Sequence, residues 1–446
     1  MWMNTFARLV PPVLQRSSGA CRALQFAGRS LLTPPLAPLL VRGQQTLGSA
    51  SLPVRSGFTG PSVRKARALK GERQVEVQWG NGGHSLYPYT WLRDNCQCSA
   101  CMLQSAVSRR LLLVDLDVNT GVKSVEVTNN NQLSIVWPDQ HLSVFDSEWL
   151  KKHCFSDEAR KARRDKMFFN ERYLWGSTLN IPTMGFQEVL QDDEAALSWL
   201  LALRRVGMVH LKGTPTERGQ LAKLGDRIGF LRMTHYGLTF QVQDKPMANN
   251  LAYTAGRLSA HTDLPVLQYT PGIQLLHCII QAAEGGVSEM VDGFHAAEVL
   301  RQEDGEAFRI LSSLLVDFND VGTDYCDFFM HNKKHTIELD NEGQVIRVHL
   351  NNATRDSVLD LPLHQVQPFY SALRTFTDIL NRPENVLTYT MEPGDVVTFD
   401  NSRLLHGRRS YVSSSSGLRH LEGAYLDWDE TLSRIRMLRK AVQARQ

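Results

Sequence analysis

The 446-residue sequence predicts an α+β fold whose core is an antiparallel barrel or sandwich. From about residue 183, segments with helical periodicity come mostly first, and short strand-like segments are spread over the later part of the chain, which favours this class. Hydrophobic residues make up 42% and charged residues 21% of the chain, as in ordinary globular proteins. The sequence has no run of about 18 apolar residues, so we expect no transmembrane helix and no membrane partner.

The N-terminal segment differs in composition from the rest of the chain. Residues 1–70 contain ten basic residues and no acidic one, which leaves 39 basic and 46 acidic residues for the remainder. An arginine-rich, acid-free, amphipathic start is typical of a mitochondrial transit peptide. We therefore predict that residues 1–65 are such a leader, directed to the matrix, with a disordered extension and a cytoplasmic protein as the alternative. The slightly acidic remainder argues against nucleic-acid binding.

Residues 70–150 are predicted to form a small β-rich module. Gln74–Trp79 and Gln132–Trp137 alternate in hydrophobicity as strands do, and His141–Phe145 is predicted to continue the second hairpin. We recognise no internal repeat in the sequence. Residues 151–182 are rich in charge and are predicted to be a helical linker.

Residues 183–446 are predicted to form the main, catalytic domain. Its helices are predicted at Asp192–Arg205, Arg218–Leu231, His295–Leu300, Ala307–Leu315 and Phe369–Leu380. Its strands are predicted at Gly207–Leu211, Gly272–Ile279, Gln344–Leu350, Leu387–Met391 and Val396–Asp400. The low-complexity run Ser413–Ser416 is predicted to be a surface loop.

Three of the seven cysteines fall within six residues; these are Cys96, Cys98 and Cys101. An odd number of cysteines without a secretory signal argues against a disulfide framework. Three thiolates need one more ligand to hold a tetrahedral zinc ion. His141 is the best candidate because it lies at a strand end in the same module, and His84 and His153 are its competitors. We predict a closed, structural Zn(II) site, with an iron–sulfur cluster or three unligated thiols as alternatives.

A second set of candidate ligands consists of His261, Asp263 and the distant His406. A His-x-carboxylate pair with a distant histidine is the facial triad of non-haem iron(II) oxygenases. With 14 histidines and 46 acids, about 1.4 His-x-Asp/Glu pairs arise by chance, so the pair alone is weak. The context is more specific because a turn and strand lead into His406 and Arg419 follows 13 residues later. That guanidinium can hold the carboxylate of 2-oxoglutarate, whereas the simpler alternative is ordinary histidines and a surface arginine.

Longer stretches of the chain are distinctive. They include Trp91-Leu-Arg-Asp-Asn-Cys-Gln-Cys98, Gln241-Val-Gln-Asp-Lys245, His261-Thr-Asp263, Asn351-Asn-Ala-Thr-Arg-Asp356, Leu404-Leu-His-Gly-Arg-Arg-Ser-Tyr411 and Arg419-His-Leu-Glu-Gly-Ala-Tyr425. In these stretches, between about Leu86 and Arg439, the sequence resembles the family of gamma-butyrobetaine and trimethyllysine dioxygenases. The resemblance implies a double-stranded β-helix (jelly-roll) catalytic core after a zinc module, and a homodimer. It also implies iron(II), 2-oxoglutarate and O2 dependence with ascorbate as reductant.

The reaction that the resemblance implies is C3 hydroxylation of gamma-butyrobetaine to L-carnitine, with trimethyllysine or a related trimethylammonium acid as the alternative substrate. Residues that match the family's zinc ligands are Cys96, Cys98, Cys101 and His141. Residues that match its iron ligands are His261, Asp263 and His406, and those that match its 2-oxoglutarate contacts are Arg419 and Ser288. A trimethylammonium group donates no hydrogen bonds and is best held by aromatic faces. The positions of the family's aromatic cage are Tyr236, Phe240, Tyr253 and Tyr425, and those that hold the substrate carboxylate are Asn250 and Asn351.

Four positions depart from the family pattern. Phe240 and Ser402 stand where tryptophan is usual, Leu264 where tyrosine is usual, and Val287 where an acid is usual. Phenylalanine attracts cations less than tryptophan does, so we expect an effect on substrate affinity and preference more than on the chemistry. A non-catalytic protein that binds a partner through its zinc module is the hypothesis from another class. The intact iron-ligand set argues against it.

Overall fold

The computed structural model describes residues 61–245, 248, 250–412 and 419–445, all within the compact unit Gly60–Gln446. The predicted loop Ser413–Ser416 and most of the predicted leader lie outside the described residues. None of the described helices is both long enough and apolar enough to cross a membrane.

The N-terminal module contains eight strands and begins earlier than predicted. Its first sheet is β1 (Val63–Leu69), β2 (Gln74–Trp79) and β3 (His84–Pro88), followed by helix α1 (Tyr89–Asp94) and the short pair β4 (Met102–Leu103) and β5 (Ser108–Arg109). After a 3-10 turn (Leu113–Asp115), its second sheet is β6 (Ser124–Val127), β7 (Gln132–Val136) and β8 (Leu142–Asp146), followed by α2 (Ser147–Lys152). Residues 63–65, the last three of the predicted leader, belong to β1. Its alternating basic and small side chains give only a weak strand pattern.

The two three-stranded sheets are copies of one unit, which the sequence analysis missed. Residues 74–92 and 132–150 align without a gap at an offset of 58, and both contain a Gln, Trp, Ser and Trp-Leu at equivalent positions. Trp79 donates to Ser85 Oγ at 2.9 Å, and Trp137 donates to Ser143 Oγ at 2.8 Å. Both sheets bury their apolar faces in one shared cluster. The expectation of no internal repeat is therefore wrong. The repeat is hard to recognise in the sequence because its copies share only residues that pack and hydrogen-bond.

The predicted linker 151–182 is only partly helical. Helix α3 (Asp157–Phe168) covers its middle, and residues 169–182 have no helix or strand. The fully buried ion pair between Arg403 and Asp292 accounts for this irregular path. Asp292 Oδ2 accepts from Trp175 N at 3.2 Å, and Arg403 donates to the Tyr173 carbonyl at 2.5 Å. The Trp175 N–H and the Tyr173 carbonyl, which would bond within the segment if it were helical, thus form hydrogen bonds to side chains of the jelly roll instead.

The main domain begins at β9 (Thr183–Gly185). Its remaining helices are α4 (Phe186–Gln191), α5 (Asp193–Val206), α6 (Gln220–Ile228), α7 (Gly293–Glu303), α8 (Gly305–Ser313), α9 (Leu363–Leu380) and α10 (Trp428–Arg445). Its remaining strands are β10 (Met208–Lys212), β11 (Thr239–Val242), β12 (Leu258–His261), β13 (Ile273–Ile280), β14 (Ser288–Asp292), β15 (Leu315–Thr323), β16 (Asp327–His335), β17 (Ile337–Leu339), β18 (Val345–Val348), β19 (Val386–Tyr389), β20 (Val396–Asp400), β21 (Leu404–Arg408) and β22 (His420–Leu426), with a 3-10 turn at Leu251–Tyr253.

Two sheets form the jelly roll that the family resemblance implies. One has the strand order β11-β22-β13-β20-β10-β9 and the other β12-β21-β14-β19, and all pairs are antiparallel except β9 with β10. Apolar side chains from both sheets, among them Met290, Phe399 and Leu421, form the core between them. The large sheet is covered on its outer face by α5, α6 and α10 through a second cluster.

Most predicted elements of this domain are present. Helix α5 follows the prediction within a residue, with Asp192 as its N-cap and Gly207, at φ +94°, ending it in the left-handed conformation. Helix α9 begins at Leu363 rather than at Phe369, because the helix continues through Pro368. The hairpin β15–β16 and helix α10 were not predicted. The hairpin interrupts its apolar residues with Asp, Asn, Gly and His, so strand alternation is obscured.

Candidate metal centres and active site

The four-donor cluster consists of Cys96, Cys98, Cys101 and His141, whose ligand atoms all lie within 4.8 Å of one another. The three sulfurs are 3.2, 3.7 and 3.5 Å from His141 Nε2. A zinc ion held tetrahedrally at about 2.3 Å from sulfur and about 2.0 Å from nitrogen would separate these atoms by about 3.5 Å. One imidazole N–H cannot donate to three sulfurs at once. The donor set and its spacing therefore fit a zinc ion.

Local turns position these donors. The Cys98 carbonyl accepts from Cys101 N at 3.1 Å, which folds the cysteines onto one another just after α1. Asp139 Oδ1 accepts from His141 N at 2.9 Å and fixes the turn between β7 and β8. Arg93 donates to Cys101 Sγ at 3.4 Å. Its positive charge offsets the net negative charge that three thiolates and one zinc ion would have.

The two competing histidines lie elsewhere. His84 is exposed at the start of β3. His153 packs on Trp149 with ring centroids 4.2 Å apart, and its Nδ1 donates to the Trp149 carbonyl at 2.6 Å. Of the three candidates, only His141 lies among the cysteines.

The three-donor cluster consists of His261, Asp263 and His406, whose ligand atoms also lie within 4.8 Å of one another. His261 ends β12 and is paired with His406 of β21, so the antiparallel register brings the two imidazoles side by side. Their Nε2 atoms are 3.1 and 3.8 Å from Asp263 Oδ1. His261 Nδ1 donates to the Ser259 carbonyl at 2.9 Å, which leaves the Nε2 lone pair facing the carboxylate.

The electrostatics of this cluster suit a cation. Burial favours the neutral form of Asp263, but His406, His261 and the Tyr425 hydroxyl outweigh it and hold the pKa of Asp263 well below its usual range. Burial opposes a charge on His261 too, yet Asp263 raises its pKa. Burial and the adjacent His261 lower the pKa of His406 to about 3. A buried carboxylate flanked by two imidazoles matches the facial triad of an iron(II) site.

The backbone around Asp263 is held firmly. Asn401 accepts from Asp263 N at 2.8 Å and donates to the carbonyls of Asp263 and Pro271, both at 3.0 Å. Leu264 follows at φ +59°, a left-handed conformation that costs a non-glycine residue about 1 kcal/mol or more. Tyr425 donates to Asp263 Oδ2 at 2.7 Å. These contacts fix the direction of the carboxylate.

One cavity of about 350 Å³ connects the remaining predicted residues. All of the predicted iron, cosubstrate and substrate residues line it, namely Tyr236, Phe240, Asn250, Tyr253, His261, Asp263, Ser288, Asn351, His406, Arg419 and Tyr425. Its volume lies at the lower end of ordinary small-molecule sites. Of the four departures, Phe240 and Leu264 line the cavity, whereas Ser402 and Val287 do not.

The arginine end of the cavity contains Arg419, Arg408 and Ser288. Arg419 is only 5% exposed, and no carboxylate of a described residue lies within 4 Å of its guanidinium. Its Nε donates to Gln281 Oε1 at 3.3 Å. Burial and the nearby Arg408 lower the pKa of Arg419 to about 10. A buried guanidinium with no carboxylate partner among the described residues has the chemistry to bind the carboxylate of a ligand.

The neighbouring arginine has a different role. Arg408 donates to main-chain carbonyls at 2.6–3.3 Å, those of Ala252, Thr254 and Gly256. It therefore fixes the segment that contains Tyr253. Ser288 pairs with Arg408 across β14 and β21, which places its hydroxyl in the same part of the cavity.

The aromatic end of the cavity contains Tyr236, Phe240, Tyr253 and Tyr425. Phe240 stacks on Tyr425 with ring centroids 5.2 Å apart, and Tyr236 lies 6.3 Å from Phe240. Phe240 rests on Gly423, its partner across β11 and β22, where a Cβ would come within 2.2 Å of the ring. One face of Tyr253 already contacts the Lys245 ammonium, 3.9 Å from the ring centroid.

The two ends are separated along β22. Arg419 precedes this strand by one residue, and Tyr425 lies six residues further on with its side chain on the same face. Six residues of a strand span about 20 Å. The three-donor cluster contacts the aromatic end through the Tyr425 hydroxyl.

The two predicted carboxylate-binding asparagines line the cavity but also bond to the protein. Asn250 Nδ2 donates to the Tyr236 hydroxyl at 3.2 Å, and its Oδ1 accepts from Ala252 N at 2.9 Å. Asn351 Nδ2 donates to the Thr262 carbonyl at 3.3 Å. Each amide nitrogen has a second hydrogen that can donate to a ligand.

Sequence reasoning missed two charged residues of the cavity, Arg408 and Asp320. Asp320, on the unpredicted hairpin β15–β16, lines the aromatic end and accepts from the Tyr236 hydroxyl at 2.8 Å. It belongs to no motif, and a single acid within a strand gives no signal in the sequence.

The jelly roll, the three-donor cluster and the buried arginine define an iron(II)- and 2-oxoglutarate-dependent dioxygenase. A family model described as "Taurine catabolism dioxygenase TauD, TfdA family" matches residues 173–425, and one described as "Gamma-butyrobetaine hydroxylase-like, N-terminal" matches residues 66–151. Human gamma-butyrobetaine dioxygenase is 52% identical over 382 residues, covering 86% of this chain and 98% of the human protein. The chain belongs to the gamma-butyrobetaine dioxygenase family.

More distant relatives include a bacterial gamma-butyrobetaine dioxygenase and a mammalian trimethyllysine dioxygenase. Gamma-butyrobetaine dioxygenase of Pseudomonas sp. (strain AK-1) is 36% identical, covering 82% of this chain and 94% of that protein. Mitochondrial trimethyllysine dioxygenase of Mus musculus is 31% identical, covering 82% of this chain and 86% of that protein.

Proposed function

We propose that this protein hydroxylates gamma-butyrobetaine at C3 to form L-carnitine. The observation that supports this best is a cavity that joins a three-donor cluster, an aromatic end and a buried arginine with no carboxylate partner among the described residues. A zwitterion with a trimethylammonium group at one end matches the aromatic end. The greater identity to gamma-butyrobetaine dioxygenases than to trimethyllysine dioxygenases favours the same substrate.

Residue roles follow from this proposal. His261, Asp263 and His406 would hold iron(II), and Arg419 and Ser288 would hold the distal carboxylate of 2-oxoglutarate. Iron(II) bound there supplies the O2-activating chemistry, in which 2-oxoglutarate, O2 and the substrate C–H become succinate, CO2 and the alcohol. Ascorbate would keep the iron reduced.

The chain's own contribution is binding and orientation. The Tyr425 hydroxyl holds Asp263 in place, and the rings of Tyr236, Phe240 and Tyr425 receive the quaternary ammonium by cation–π attraction. Asn250 and Asn351 would donate to the substrate carboxylate. Fixing both ends of the substrate brings one methylene to the metal, so no protein acid or base has to act on it.

An assay of succinate formation tests the proposal. We expect 2-oxoglutarate turnover to be stimulated most by gamma-butyrobetaine, with L-carnitine detected by mass spectrometry. Trimethyllysine is included because Leu264 stands where the family has a tyrosine. Greater stimulation by trimethyllysine would favour it as the substrate. If neither compound stimulates succinate formation, the proposed function is contradicted.

The remaining parts of the proposal concern the rest of the chain. The four-donor cluster would hold a structural zinc ion in a module spanning about residues 70–150, and residues 183–446 would form the catalytic domain. The acid-free leader supports import into mitochondria, which fractionation of cells expressing the full chain would test. A homodimer is the assembly that the family resemblance implies, and sedimentation equilibrium would test it.

A further inference from the structure

We propose that Asp320 determines specificity for a cationic substrate, by providing the negative charge at the aromatic end of the cavity. This inference rests on the proposed function and extends it to a residue outside the predicted cage. Asp263 and Asp320 are the two carboxylates among the described residues that line the cavity. Asp263 belongs to the three-donor cluster, so Asp320 is the acid available to a substrate.

The charge of Asp320 is nearly buried and poorly compensated. Its side chain is 11% exposed, and no lysine or arginine of the described residues lies within 4 Å of it. Its nearest basic neighbour among the described residues is His235, whose Nε2 is 3.6 Å away, beyond hydrogen-bonding distance. A carboxylate in this position is stabilised by any cation that enters the cavity. The situation mirrors that of Arg419, which lacks a carboxylate partner at the other end.

The hairpin β15–β16 holds Asp320 against the cage. Phe328 packs on His235 and Tyr236 with ring centroids 4.3 and 5.7 Å apart. Tyr236 donates to Asp320 Oδ2 at 2.8 Å, and burial together with Asp320 raises the pKa of that hydroxyl above its usual value. The tyrosine thus remains a donor, and both Asp320 and Tyr236 line the cavity. Cation–π attraction and the carboxylate then act on the same trimethylammonium group.

The simpler alternative is that Asp320 only positions Tyr236. Asp320→Asn separates the two roles, because the amide oxygen still accepts from the tyrosine while the charge is removed. Asp327→Asn is the matched control, since Asp327 is an exposed acid on the same hairpin that does not line the cavity, and the amide oxygen can still accept from Thr323.

Two substrates of the same shape provide the kinetic test. They are gamma-butyrobetaine and its neutral isostere with a tert-butyl head. For Asp320→Asn we expect KM for gamma-butyrobetaine to rise about tenfold, as for loss of one partly screened charge contact, with kcat little changed. KM for the isostere should stay the same or fall, and Asp327→Asn should behave as wild type with both. An equal rise with both substrates, or no change with either, would overturn the inference.

Binding of tetramethylammonium, measured by calorimetry on the metal-loaded protein, separates this inference from the proposed function. We expect Asp320→Asn to weaken this binding about tenfold and Asp327→Asn to leave it unchanged. That result would support the charge role even if wild type formed no carnitine, which would contradict the proposed function alone. Equal binding by wild type and Asp320→Asn would contradict the role of Asp320.

Discussion

The two donor clusters use similar side chains in different surroundings. The four-donor cluster takes its ligands from two loops of the N-terminal module, and its donors surround a point that a zinc ion would fill completely. The three-donor cluster takes its ligands from two paired strands and the turn after one of them, and it borders a cavity of about 350 Å³. A closed donor set leaves a metal no open position, whereas an open one admits cosubstrate and O2. The difference in function therefore follows from donor number and from what lies beside the donors.

Removing the only carboxylate of the three-donor cluster should have the largest effect on activity. Asp263→Ala leaves two imidazoles, which hold iron(II) poorly, so we expect turnover to be abolished in the succinate assay. Zinc content and thermal stability should stay near those of wild type, because the four-donor cluster is untouched. The control is Asp327→Ala, which removes an exposed acid that does not line the cavity and should keep full activity. Wild-type turnover by Asp263→Ala would contradict the iron assignment.

The corresponding change in the four-donor cluster should act on stability instead. Cys98→Ser removes one zinc ligand, and in a closed site the metal-binding energy is folding energy. We expect the free energy of unfolding to fall by about 4 kcal/mol or more, measured by denaturant titration, with loss of bound zinc. The matched control is Cys326→Ser, since Cys326 is an exposed free cysteine. A stable, fully active Cys98→Ser protein without zinc would refute the structural role.

Arg419→Ala tests whether the open site receives a carboxylate. Truncating one partner of a buried charge pair weakens binding by roughly 30-fold or more, so KM for 2-oxoglutarate should rise by that factor. Arg409 is a suitable control because it is largely exposed and already paired with Glu289 at 2.9 Å. Arg409→Ala should change KM for 2-oxoglutarate less than roughly twofold, because an exposed ion pair contributes little free energy. Equal effects of the two variants would argue against cosubstrate binding by Arg419.

The smallest effect is expected at the aromatic end. Phe240→Leu keeps most of the apolar volume and removes the ring, so KM for gamma-butyrobetaine should rise about two- to tenfold. The neutral tert-butyl isostere should be affected little. Phe369→Leu is the packing control, because Phe369 is fully buried in the same apolar cluster as Phe240 but does not line the cavity, and it should affect both substrates alike. A uniform loss in Phe240→Leu would mean that Phe240 only packs the pocket.

The sequence predicts the two clusters better than it predicts their surroundings. The spacing of Cys96, Cys98 and Cys101 is unusual enough to indicate a metal, but the choice of His141 over its competitors depends on a turn between β7 and β8. His261 and Asp263 become informative only with the motif around His406, since such pairs arise by chance.

Other features leave little trace in the sequence. Strand β20 is a continuous buried run and was predicted at its observed bounds, whereas the hairpin β15–β16 mixes polar and apolar residues without a clear period. Asp320 could not be predicted for the same reason, because its importance depends on Tyr236, which lies 84 residues away. The repeat in the N-terminal module escaped notice because its copies share mainly residues that pack or hydrogen-bond.

The most direct test of the comparison is to follow both metals during chelation. Protein purified with iron and zinc is dialysed briefly against EDTA, and metal content and succinate formation are measured over time. We predict that iron leaves first and activity falls with it, that zinc stays at about one per chain, and that Fe(II) alone restores turnover. Loss of zinc at the same rate as iron, or activity that survives the loss of iron, would contradict a closed structural site beside an open catalytic one.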